Sequence, residues 1–172
     1  MSAKYSPEAR REDRKNAAKI KRAFKKLAKK YGSAYAEVGV VENSVGVDRR
    51  TGKAKEISVA EEAALNEYGA PDQNIPPRPF MQLTIANNKD AWSSALESLL
   101  KSKMPADRAL EAVAILARDA VKATISSGSG LLPNSPATVK IKGRNQPLVD
   151  FGDLLKSISY QMINPDIKED GK

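Results

Sequence analysis

Apolar residues fall at helical intervals along much of the chain and alternate in shorter stretches between. From about Pro7 to Tyr31, Ile20, Phe24, Leu27 and Tyr31 mark one narrow apolar stripe on a helix rich in Lys, Arg and Ala. Before Ala17 the stripe is missing, so those first turns are expected to project into solvent or to lack fixed structure. Ala36 to Val41 alternates and is rich in Val, which predicts a strand over about 35–42. Residues 43–55 contain Gly46, Asp48 and Thr51-Gly52-Lys53, a polar excursion read as a hairpin with Val45 and Val47 on its outgoing limb.

Ser58-Val59-Ala60-Glu61 has the form of a capping box, so a helix is expected from Ser58 to Tyr68, stopped by Gly69. Thr84 to Met104 reads as a helix burying Leu83, Ala86, Trp92, Leu96, Leu99 and Leu100. Pro105 opens a further one to Ser126, with Leu110, Val113, Leu116, Ala117, Ala120, Val121 and Ile125 inward. Together these two predict an αα-hairpin, and Ala112, Ala114, Ala117 and Ala120 allow close approach. Ser126 to Ser135 has the composition of a flexible loop. Ser135-Pro136 then starts a short helix through about Lys142, one or two helical turns fall within 150–158, and Ser159 to Ile163 alternates as a strand expected to pair with 35–42. The fold class predicted is α+β: a small antiparallel sheet packed against a long αα-hairpin, with an N-terminal basic helix. The organisation expected is a basic helical arm over 1–31, a body over 32–164 and a polar tail over 165–172.

The stretch that breaks both periodicities is Asn66 to Met81, which joins two helical patterns. Pro76, Pro77 and Pro79 fix their own φ and restrict the residues before them, so Ile75 to Pro79 should run extended and enter the next helix at a defined angle. Phe80 and Ile75 are expected as core anchors, and Arg78, framed by prolines, as a brace.

Composition changes the picture in two ways. The net charge of +8 is concentrated: residues 1–30 hold twelve Lys and Arg against three acids, leaving the remainder at −1. Arg10, Arg11, Arg14, Lys15, Lys19, Arg22 and Lys26 therefore form a candidate contact with nucleic acid or with a neighbouring acidic subunit, beside the plainer reading of a solvated helix face. With no Cys and no His, disulfides, thiolate or imidazole metal sites and histidine-dependent catalysis are excluded. Gly52-Lys53 lacks the phosphate-loop spacing, and Ser126, Ser127 and Ser129 lack that of a nucleophile elbow. Glu61, Glu62 and Glu67 could suggest a metal site or a general acid/base pair, but two of them are better explained by the favourable field at a helix start. No cofactor or metal is expected. Neither a secretory signal nor a run of roughly 18 apolar residues is present, so the reading predicts no membrane partner and a cytoplasmic origin.

Two segments, in this order, carry a resemblance. The first is Asn66-Glu67-Tyr68-Gly69 with Ile75-Pro76-Pro77-Arg78-Pro79-Phe80 entering a long helix. The second is Lys142-Gly143, then Pro147-Leu148-Val149-Asp150 and Gly152-Asp153-Leu154, ending in Ser157-Ile158-Ser159-Tyr160. Over roughly residues 35–164 the chain resembles the tail-completion or neck proteins of tailed bacteriophages, also called head–tail joining or minor tail proteins. Phe151 stands before Gly152 where many members carry Thr, and the basic arm is not a family feature. The resemblance implies a structural, non-enzymatic virion component. Such a protein forms a homo-oligomeric ring at the head–tail junction or upper tail, next to connector or tail proteins, after synthesis in the host cytoplasm. It implies structural roles for Gly69, Ile75, Pro76, Arg78, Pro79 and Phe80, and for Gly143, Pro147, Leu148, Asp150, Gly152, Leu154 and Ser157. Segments 43–55 and 126–135 and the arm are the candidates for contacts between neighbours. For Arg78 two roles stand open, carbonyls of its own body or an acid of the next subunit, and the first is favoured because the prolines already hold the residue still.

Overall fold

A computed structural model describes residues 32, 34–41, 45–47, 52–150 and 152–164. The basic arm, including Arg10, Arg11, Arg14, Lys15, Lys19, Arg22 and Lys26, lies outside the described residues, as do Phe151 and the polar tail. Residues Ala36–Ile163 form one compact unit.

Strand β1 (Tyr35–Val40) pairs with β4 (Ile158–Ile163), and β2 (Val45–Val47) pairs antiparallel with β3 (Ala54–Ser58). The expected partnership of 35–42 with 159–163 therefore holds, and the 43–55 excursion is a hairpin whose second limb runs straight into the Ser58 cap. There the Ser58 amide and hydroxyl donate to Glu61 Oε2 at 2.8 and 2.7 Å, and the Glu61 amide donates to Ser58 Oγ at 3.2 Å. These bonds hold the Glu61 carboxyl below its ordinary titration range, so the box contributes fully above the ordinary carboxylate value and loses that contribution as pH falls through the lowered one.

Helix α1 (Val59–Tyr68) follows, then a single 3₁₀ turn (Pro71–Gln73), then the hairpin of α2 (Phe80–Lys101) and α3 (Ala106–Ser127). Short helices α4 (Pro136–Lys142) and α5 (Asp153–Ser157) complete the α+β fold. Helix α2 starts at Phe80 rather than Thr84, because Pro79 is the last residue kept out of helical geometry. Pro105 is the N-cap of α3 and not its first helical residue. Strand β4 packs on α3: the Tyr160 hydroxyl donates to Glu111 at 3.3 Å and the Arg118 guanidinium lies 5.6 Å from the Tyr160 ring centre.

The core brings together Val59 and Ala63 of α1, Phe80 of α2, Val121 and Ile125 of α3, Leu154 of α5 and Ile158 of β4. Two inward assignments do not hold. Ala86 and Leu116 are exposed, while Thr84, Ala109 and Ala114 are buried instead. The buried Thr84 is a polar residue a hydrophobic pattern passes over. Its hydroxyl is satisfied by the Phe80 carbonyl and by Thr124 Oγ1, both at 2.7 Å, which ties α2 to α3.

Candidate functional site

The Asn66–Met81 stretch is a closed joint. Gly69 ends α1 with its amide on the Leu65 carbonyl at 2.8 Å, at φ 76° and ψ 164°. Ala70 and Ile75 then exchange both backbone bonds, at 2.9 and 3.0 Å, around the 3₁₀ turn, which Asn74 closes at φ 56°. The chain doubles back so tightly that a Cβ on Gly69 would lie 2.9 Å from the Pro77 nitrogen and 3.1 Å from the Ile75 carbonyl oxygen. The Arg78 amide reaches the Asn66 carbonyl at 2.6 Å, fastening the far end of the loop back onto α1. Phe80, 1% exposed, is the anchor the sequence suggests. Ile75 is only half-buried and contributes through its backbone, which corrects its expected role as a core anchor.

Helix α2 has a proline at its N-cap and no capping side chain of its own, so its first amides need an acceptor from elsewhere. Glu67 supplies it. Its carboxylate, 6% exposed, accepts from the amides of Met81 at 2.9 Å and Gln82 at 3.0 Å. An acid in the last turn of α1 is unfavourable for its own helix dipole but favourable for the one it caps. That misplacement is the one signal in the sequence that could have singled out Glu67.

Arg78 points to the segment after α3. Its Nε donates to the Leu132 carbonyl at 2.9 Å and its Nη2 to the Pro133 carbonyl at 3.2 Å, the intramolecular role favoured above. Partial burial pushes the guanidinium below its ordinary value. The same loop is held from its other side by the segment after α4. Asn145 Oδ1 accepts from the Asn134 amide at 2.9 Å, Gln146 Nε2 donates to the Ser126 carbonyl at 2.8 Å, and Pro147 packs on Gly128. The serine- and glycine-rich loop, expected to be flexible, is instead clamped by side chains distant in sequence.

The remaining motif residues hold the second segment in place. Gly143 caps α4 at φ 71°, and Pro147 is buried. Leu148 adopts φ 61°, a strained conformation for a residue with a Cβ, while its side chain packs on the core. The Asp150 carbonyl accepts from Arg144 at 3.1 Å, and Gly152 at φ 84° admits α5. Leu154 enters the core, and the Ser157 hydroxyl returns to the Leu154 carbonyl at 2.8 Å. Pro77 and Pro79 flank Arg78, with Pro76 before them; the expected extended run stops short of Pro79, whose ψ of 66° and the Phe80 amide on the Arg78 carbonyl at 2.7 Å turn the chain tightly into α2. The motif residues thus fall into two groups that meet at residues 128–135. Asn145 and Gln146, which make that meeting, were not singled out by sequence.

Among the described residues no group of three or more Asp and Glu converges as a metal site, and no helix is long and apolar enough to cross a membrane. Arg78→Ala is expected to release the loop, costing about 1–2 kcal/mol for two hydrogen bonds from a half-buried cation. Limited chymotryptic cleavage after Leu131 should accelerate, while Arg78→Lys, a point donor without the planar fork, should fall between. Comparison with protein-family models, with curated proteins and with solved structures found nothing that matches this chain.

Proposed function

We propose that this protein is a structural component of a tailed-bacteriophage virion, a tail-completion or neck protein that assembles as a ring at the head–tail junction and carries no catalytic activity. One observation supports it above the others: Arg78 of the first segment bonds to Leu132 and Pro133, while Asn145 and Gln146, lying between the two parts of the second, bond to Asn134 and Ser126, so both regions hold the segment after the long hairpin. The polar contacts of these residues are spent on holding backbone, which suits an assembly subunit. The mechanism is geometric. A rigid joint sets the direction of the long hairpin, and a fixed loop is displayed beside it for connector or tail partners. Light scattering on the purified protein, alone and with tail components, should show a multi-subunit species or a complex; a strict monomer that binds no virion protein overturns the reading.

A second reading is a nucleic-acid-binding protein that uses the arm, favoured by the net +9 of residues 1–30. Contacts between those lysines and arginines and phosphates would weaken steeply with salt. Removing residues 1–16 should abolish salt-sensitive DNA retention if the arm is the site, and leave it unchanged if it is not.

A further inference from the structure

Charge is segregated within the body as well as between body and arm. Residues 56–77 contain five acids, Glu56, Glu61, Glu62, Glu67 and Asp72, and no Lys or Arg. Residues 120–149 contain Lys122, Lys140, Lys142 and Arg144 and no acid. Each stretch also presents a highly exposed large apolar side chain, Tyr68 at 75% in the acidic one and Ile141 at 73% in the basic one.

The helical register puts these features on single faces. On α1, Glu61, Ala64 and Tyr68 are all exposed and lie three and four residues apart, in line, with exposed Asp72 just beyond the helix end. On α4, Ala137, Lys140 and Ile141 are exposed three and four residues apart, and exposed Arg144 follows just beyond the Gly143 cap. Both faces are a short stripe with one large apolar residue, one alanine that permits close approach, and charges of a single sign. Such faces are complementary to each other and repel their own kind.

We propose that the exposed face of α4 docks on the exposed face of α1 of a second copy of this chain, with Ile141 against Tyr68 and with Lys140 and Arg144 facing Glu61 and Asp72. The contact is heterologous, so its repetition builds a ring where the rotation between copies closes and an open filament where it does not. It rests on the assembly reading above and assigns that assembly a surface.

The absence of cysteine makes a clean test. Full-length Tyr68→Cys and Ile141→Cys proteins, prepared separately and mixed under mild oxidation, should give a mixed disulfide dimer. Its yield should be at least about tenfold that of Tyr68→Cys mixed with Ser94→Cys, a control on the exposed side of α2. In parallel, Lys140→Glu should weaken self-association about tenfold with its melting temperature unchanged, and mixing with Asp72→Lys should restore it, the size expected for one facing charge pair. Equal cross-linking in the two mixtures with a multi-subunit species still present overturns this surface and leaves the assembly reading standing. A strict monomer without tail partners overturns both. Loss of salt-sensitive DNA retention in Lys140→Glu with self-association intact overturns the proposal in favour of a nucleic-acid face.

Discussion

Gly69→Ala should lower the unfolding free energy by about 3 kcal/mol, from a strained backbone region that is nearly restricted to glycine together with a steric clash. The residue sits at φ 76° and ψ 164°, and the atoms a methyl would meet are the Pro77 nitrogen at 2.9 Å, its Cδ at 3.0 Å and the Ile75 carbonyl oxygen at 3.1 Å. These belong to backbone or to a proline ring, so none can swing aside. Relief requires Ile75–Pro77 to move, and that run is tied by both Ala70–Ile75 bonds and by the Arg78 amide on Asn66. Urea unfolding followed by circular dichroism reads the effect as a lower midpoint at constant slope. A change within about 0.5 kcal/mol would mean that the return of the chain on itself is looser than described.

Glu67→Ala should cost a similar amount, about 3 kcal/mol, since it strands two amides at the start of a helix that has no capping side chain of its own. Glu67→Gln should recover roughly half of that loss, because one amide oxygen can still accept while the amide nitrogen faces a second donor. The ordering wild type, Gln, Ala is the diagnostic. If Gln and Ala were equally stable to wild type, the carboxylate would not be the cap, whatever its distance from Met81 and Gln82.

What could be read in the sequence was what neighbouring residues decide among themselves. Ser58 and Glu61 sit three apart and form their box as the motif requires. Pro76, Pro77 and Pro79 restrict φ wherever they stand, so a non-helical run ahead of Phe80 was legible, as was the stop at Gly69, though the turn at Pro79 was not. What escaped depends on partners far along the chain. Glu67 caps a helix that begins 13 residues later, across a turn whose closure no local rule states. Residues 126–135 have the composition of a mobile linker, yet they are held by Arg78, Asn145 and Gln146, roughly 11 to 55 residues away, and composition records none of those bonds. The faces of α2 and α3 were misjudged at Ala86 and Leu116 for a related reason. Which side of a helix is buried depends on the angle at which it is fastened, and that angle is set by Phe80 and by the Thr84–Thr124 bond. At the candidate site, the Arg78 brace was legible because prolines leave its direction little freedom, whereas the loop it holds was not.

If Asn66–Met81 is a structural joint as stable as the core it organises, native-state amide hydrogen exchange will show it on the amides of Ala70, Ile75, Arg78, Met81 and Gln82. These five should open together, with the free energy of the core amides of Val121 and Ile125, and in Glu67→Ala they should exchange at much lower free energy. Exchange of the five at the rate of freely exposed amides, with α3 still protected, would contradict it and leave the stretch an ordinary surface connector.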